Sequence, residues 1–142
     1  MYIELHASSA FSFLDGASLP ETLVERAAEL GYPALALLDR NGVYGAPRFH
    51  KAAVAAGIKP IVGSDLAIGL SRIDSTSLAS PHMPLSWQFS VLVETQEGYR
   101  NLCRFVTRMK LNAPKGEGVL TFEELEKHPE CEQLSLNGIR DA

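Results

Sequence analysis

Residues Ala34-Leu35-Ala36-Leu37-Leu38 form an unbroken apolar run of strand length that ends in Asp39-Arg40-Asn41-Gly42. A strand with no polar side must be covered on both faces, the situation of a parallel sheet with crossover helices. The flanking sequence fits that demand. Leu23, Val24, Ala27, Ala28 and Leu30 precede the run at helical spacing and stop at Gly31, with Ser18 as expected N-cap, Pro20 near the first helical position and Glu21 in the first turn. After the run, Arg48 to Ala56 reads as a second helix halted by Gly57, and Pro60-Ile61-Val62 opens an extended stretch continuing from Asp65 to Leu70. Tyr2 to His6 reads as a short strand before all of these. Strand–helix–strand–helix–strand order implies parallel strands joined by right-handed crossovers.

Residues 71–86 break the rhythm with serine, threonine and proline among few large apolar side chains, as in an exposed loop. Gln88 to Glu94 resumes a strand, and Gln96 to Met109 a helix with Tyr99, Leu102, Cys103 and Val106 on one side. Past the turn at 113–118, Thr121 and Glu124 have the spacing of a capping box for a short helix ending by Pro129. The last thirteen residues, Glu130 to Ala142, are weakly patterned. The expected organisation is one domain over residues 1–129 and a divergent tail over 130–142, possible at 142 residues with a genuine core.

Each of the first three strands ends in groups able to do chemistry. His6 closes the first, and a loop of serines and aromatics then delivers Asp15. Asp39 and Arg40 close the second, and Gly63-Ser64-Asp65 the third. Sites in α/β proteins are built at such strand ends. The same residues also admit a structural reading, in which Asp15 and Asp39 set turns, His6 is hydrogen-bonded at a strand end, and Arg40 pairs with a nearby carboxylate. That structural reading is the one favoured here.

Charge narrows the choice of partner. A net charge of -4 and a pI near 5.5 argue against a domain that grips phosphate backbones by itself. Cys103 and Cys131 lack metal-type spacing and fit a reducing cytoplasm. No apolar run approaches the roughly 20 residues of a membrane span, and the start lacks the basic and apolar parts of a signal segment, so a soluble cytoplasmic protein with no membrane partner is expected. His50, His82 and His128 read as helix-surface, loop and helix-end residues, and Trp87 as packing. Ser8, Ser9 and Ser12 form no nucleophile elbow, and the glycines at 42 and 45 lack a phosphate-binding fingerprint.

Several blocks together carry a resemblance. Phe11-Ser12-Phe13-Leu14-Asp15-Gly16-Ala17-Ser18, Leu23 to Tyr32, Gly57 to Gly63 and Glu97-Gly98-Tyr99-Arg100-Asn101-Leu102-Cys103 resemble the N-terminal PHP (polymerase and histidinol phosphatase) domain of bacterial DNA polymerase III alpha subunits, in its error-prone branch, over roughly residues 2–128. The resemblance implies part of a distorted seven-stranded (β/α) barrel with mainly parallel strands. It implies candidate metal positions at His6, Asp15, Asp39 and Asp65, with zinc or manganese bound weakly or not at all. The second histidine of the family's His-x-His is Ser8 here, and the histidine of its Asp-His pair is Arg40. Hydroxyl is a poor zinc ligand beside imidazole, and a permanent cation repels metal. The family's later ligands have no counterpart identified in this chain.

The resemblance further implies a module of an error-prone polymerase, serving DNA replication and translesion repair synthesis. Its partner would be the remainder of the alpha subunit, with DNA reached indirectly. The polymerase carboxylates of such proteins lie in later domains, so no DNA synthesis and no catalytic residue are expected here. Two alternatives stand beside this reading: a free-standing metal-dependent PHP phosphoesterase, and a truncated product with no independent function.

Overall fold

The computed structural model describes residues 2–69, 86–113, 118, 120–121 and 134–136. In chain order the elements are β1 (Glu4–Ala7), α1 (Pro20–Glu29), β2 (Ala34–Arg40), α2 (Ala46–Ala55), β3 (Lys59–Gly69), β4 (Ser86–Val93), α3 (Gln96–Leu111), β5 (Leu120–Thr121) and β6 (Leu134–Leu136). They build one sheet in the order β1-β2-β3-β4-β6, with β5 paired to the end of β3. β1–β2, β2–β3 and β3–β5 are parallel, whereas β3–β4 and β4–β6 are antiparallel. The architecture is the expected α/β partial barrel, a mixed sheet with more parallel than antiparallel pairings. β4 is the departure from the parallel pattern. The connection between β3 and β4, expected as an exposed loop, lies outside the described residues.

Helix boundaries follow local chemistry with small differences from the sequence reading. α1 begins on Pro20 behind Leu19, not on a Ser18 side-chain cap; the Ser18 carbonyl instead accepts from the Ala10 N–H at 2.8 Å, closing the loop. α2 starts at Ala46, two residues earlier than expected, with Pro47 in its first turn, where a missing N–H costs nothing. Gly31 and Gly57 adopt positive φ, and the next N–H groups reach back from Tyr32 to Ala27 and from Ile58 to Ala53, so both helices stop where the glycines stand. The Thr95 hydroxyl caps α3 by accepting from Gly98 N–H at 3.0 Å. Thr121, expected as a helix cap, is buried in β5, and the helix expected after it lies outside the described residues. Within the expected tail, β6 pairs with β4.

Two apolar clusters hold the layers together. Leu35 and Leu37 of β2 pack with Val24 and Ala27 of α1, Phe49 and Ala53 of α2, and Ile58. Leu66 and Ile68 of β3, Val91 of β4 and Leu120 pack with Leu102, Phe105, Val106 and Met109 of α3. α3 therefore buries Phe105 and Met109 beside the expected Leu102 and Val106, while Cys103 is only half-buried. Trp87, expected in core or rim packing, lies on β4 with 46% of its surface exposed. Because alternate strand residues face opposite ways, these clusters fix the two sides of the sheet. Leu35, Leu37 and Asp39 face the helices; Ala36, Leu38 and Arg40 face away.

Candidate functional site

At the C-terminal ends of β1 and β2, and beside them midway along β3, the sheet brings together the residues singled out from the sequence, but in two groups; Asp65, expected to close its strand, is followed by four more residues of β3 because β4 and β5 pair with that extension. On the face away from the helices, His6 Nε2 lies 2.7 Å from Asp65 Oδ2, reaching over the intervening β2. The other oxygen of Asp65 accepts from Ser90 Oγ at 2.6 Å, because Ser90 is the antiparallel partner of Asp65 across β3 and β4. Arg40 is the register partner of Asp65 on β2, yet its Nη1 turns outward to Asp15 Oδ2 at 3.3 Å. That pair is half exposed on both sides, so its net contribution is at most about 1 kcal/mol.

Asp39 belongs to the other face. Its carboxylate is 2% exposed and accepts from the Ser9 N–H at 2.8 Å, from Ser9 Oγ at 2.9 Å and from Ser12 Oγ at 2.8 Å. Gly45, at the start of α2, stands so close that an added Cβ would meet Asp39 Oδ2 at 2.8 Å. Hydrogen bonds to a charged group are each worth about 1.5–3 kcal/mol, so Asp39 holds the loop far more firmly than the exposed Arg40–Asp15 pair. Ser12 Oγ also accepts from the Arg40 N–H at 3.0 Å, and Ser8 Oγ donates to the Leu38 carbonyl at 3.1 Å. The loop is thus fastened to β2 by serines at three positions.

Around this rim the remaining polar groups are also engaged. Ser64 Oγ donates to the Asp39 carbonyl and accepts from Gly42 N–H. Asn41, at φ 51°, accepts on Oδ1 from Ala67 N–H. Glu4 accepts from the Tyr2 hydroxyl at 2.7 Å and from the His6 N–H at 2.9 Å, which together hold its carboxyl below the usual carboxylate range. His50 is exposed on α2, as expected, and borders a cavity of about 590 Å³ beside Pro60 and Val62 at the beginning of β3, away from the rim. His82, His128 and Cys131 lie outside the described residues.

A multinuclear metal centre needs several free oxygen and nitrogen donors aimed at one point. Among the described residues, no three or more His, Cys, Asp or Glu side chains are grouped to hold a metal ion. Both oxygens of Asp65 and both of Asp39 are taken by protein donors, and no buried polar side-chain atom among the described residues is left without a partner. The donor arrangement does not fit such a centre. Ser9, Ser12 and Ser90 were not read from the sequence as functional. The three-residue spacing of Ser9 and Ser12 ahead of a buried strand-end aspartate was the available signal for the first two. Ser90 gave none, since its role depends on the antiparallel register of β4.

The family model of the PHP domain matches residues 4–139. The chain belongs to the PHP domain family. Curated relatives of this PHP chain include an error-prone DNA polymerase of Mycobacterium bovis, 44% identical over 126 residues, covering 87% of this chain and 11% of the relative. Another is an error-prone DNA polymerase of Cutibacterium acnes, 40% identical over 141 residues, covering 98% of this chain and 12% of the relative. The PHP chain therefore spans about a tenth of the length of the curated relatives it matches. Among solved structures, an amidohydrolase from Chromobacterium violaceum, with bound sulfate and no metal, aligns with a TM-score of 0.55 at 24% identity, covering 77% of this chain and 33% of its own. A protein of Bifidobacterium adolescentis assigned as a metal-dependent phosphoesterase aligns with a TM-score of 0.53 at 19% identity, covering the same shares. At those identities the structural likeness establishes the PHP fold alone. No helix among the described residues is long and apolar enough to cross a membrane.

Proposed function

We propose that this PHP chain is the N-terminal module of an error-prone DNA polymerase III alpha subunit and serves it structurally, without chemistry of its own. The carrying observation is the 40–44% identity to error-prone polymerases maintained over 87–98% of this chain. Its partner is then the remainder of the alpha subunit, in replication and translesion synthesis, and DNA is met through that body. The acidic net charge of -4 supports indirect contact. The compartment is the cytoplasm, where both cysteines stay reduced.

The rim supports the non-catalytic part of this reading. His6, Asp15, Asp39 and Asp65 are candidate metal positions, but their donor atoms are largely engaged with protein partners, and Arg40 adds a fixed cation beside them. Zinc or manganese binding is accordingly weak or absent. What the residues do instead is fasten the 8–18 loop to β2 and join β1, β3 and β4 through Asp65.

Two measurements test the proposal. A chimera in which this chain replaces the matching segment of the Cutibacterium acnes polymerase should retain primer extension, while deletion of that segment should abolish it. The 142-residue chain alone should hydrolyse neither a generic phosphomonoester nor single-stranded DNA. Turnover abolished by Asp15→Asn would instead establish the free-standing phosphoesterase.

A further inference from the structure

We propose that Phe13 and Leu14, at the tip of the 8–18 loop, form the contact through which this chain docks onto the remainder of the polymerase polypeptide. The inference deepens the proposed structural role, rests on it, and gives it a surface. A lone exposed leucine needs no explanation. Here Phe13 is 84% exposed and Leu14 95% exposed, side by side in solvent, and Leu14 holds φ 72°, a left-handed conformation that non-glycine residues seldom adopt. Neither burial nor backbone preference within this chain accounts for a leucine there. Backbone strain of that kind is kept where a surface has a further use.

The tip is held rather than loose. The Asp15 and Gly16 N–H groups both donate to the Ser12 carbonyl, at 3.0 and 2.9 Å, and the Ser12 N–H donates to the Ser9 carbonyl at 2.9 Å. An added Cβ on Gly16 would overlap the Ser9 carbonyl oxygen, so the loop is closed on itself as well as bonded to Asp39. A partner therefore meets side chains already in place, and docking costs little ordering entropy. The apolar surface continues past the tip. Phe11 Cδ2 and Pro20 Cγ both lie beside Gly45, which joins the loop to exposed Tyr44 in the next turn and exposed Leu19 ahead of α1.

Charge decides which kind of partner fits. The cations bordering this surface are already paired: Arg40 with Asp15 at 3.3 Å, and Arg48 with both oxygens of Glu21 at 2.6 and 3.1 Å, its guanidinium also 5.9 Å from the centre of the Phe11 ring. A surface that gripped single-stranded DNA would offer free cations beside its aromatics. Apolar side chains bordered by closed ion pairs suit an apolar patch on protein instead. The error-prone polymerases similar to this chain have only 11–12% of their length within the matched stretch, so the rest of that polypeptide is the surface available to it.

The experiment uses the Cutibacterium acnes polymerase chimera carrying this chain, the 142-residue chain alone as reference, and hydroxyl-radical footprinting to read side-chain exposure. Phe13 and Leu14 should label readily in the chain alone and at least fivefold less in the chimera. Phe13→Ser combined with Leu14→Asn removes the apolar tip, and asparagine tolerates the left-handed backbone. In the chain alone this double variant should leave the urea midpoint unchanged or higher. In the chimera it should lower primer extension at least fivefold and lower the unfolding temperature.

A lowered midpoint in the chain alone would show that the tip serves this domain's own fold and would overturn the proposal. So would protection of Phe13 and Leu14 in the chain alone by added oligo(dT), or self-association of the chain alone that the double variant abolishes. A chimera that extends primers while both side chains label as in the chain alone defeats the docking surface and leaves the module reading intact. A chimera inactive with an intact tip defeats the module reading, and the docking surface with it.

Discussion

Asp39 and Arg40 are neighbours in the chain and point to opposite sides of the sheet. Asp39 is sealed beneath the 8–18 loop among serine hydroxyls, and Arg40 stands exposed on the rim beside Asp15. The period of two along a strand makes this division unavoidable once Leu35 and Leu37 commit one side to the helices. It separates a residue that anchors the buried loop from one that pairs with Asp15 at the surface.

Replacing Asp39 with alanine removes the acceptor shared by Ser9 and Ser12 and strands both hydroxyls in a buried site. The expected cost is about 3 kcal/mol, the scale of one or two lost bonds to a charged group. Urea unfolding monitored by circular dichroism measures it. A loss below about 0.5 kcal/mol would mean that the serines do not fasten the loop.

Gly45→Ala tests the same packing from the helix side. The new Cβ would meet Asp39 Oδ2 at 2.8 Å, Phe11 Cδ2 at 3.1 Å and Pro20 Cγ at 3.2 Å. The crowding should cost about 1–3 kcal/mol, read as a lower urea midpoint with an unchanged slope.

Phe49 is fully buried between α2 and β2, among Leu35, Leu37 and Ala53. Truncation to alanine leaves a cavity that small neighbours such as Ala27 and Ala53 cannot fill, with an expected loss of about 3–5 kcal/mol. Exposed Val54, one turn further along α2, provides the control: Val54→Ala should change stability by less than about 0.5 kcal/mol.

Leu14 has φ 72° and is 95% exposed, so its side chain gains nothing from burial while its backbone sits in the left-handed region. Leu14→Gly relieves that conformation and should raise stability by up to about 1 kcal/mol. A decrease of that size would show that the leucine side chain has a contact that stabilises the turn.

The Glu4 carboxyl accepts from the Tyr2 hydroxyl and from backbone N–H groups, and its pKa lies below the ordinary glutamate value. In the unfolded chain it would protonate first as pH falls, so its contribution to stability is complete above the ordinary value. That contribution is lost as pH drops through the lowered one. Carboxyl titration by NMR should find the Glu4 midpoint depressed, and Tyr2→Phe should move it up towards normal.

Much of the α/β layering was legible because it depends on local signals. The unbroken apolar run of β2, the helical spacing of Val24 and Ala27, and Gly31 and Gly57 as stops each act within a few residues. The sequence by itself therefore determined the parallel β1–β2–β3 core, its crossover helices, and the presence of His6, Asp39 and Arg40 at strand ends, whereas Asp65 lies inside β3, which continues to Gly69. It could not assign the partners of those side chains. Asp65 meets Ser90 because β4 runs antiparallel to β3, and His6 meets Asp65 because two strands adjoin β2 in a particular register. Asp39 is buried because a distant loop folds over it. Such contacts join residues 25 to 59 positions apart. Only the tertiary structure decides them, since hydrogen bonds depend on ångström-scale placement that local propensity does not specify.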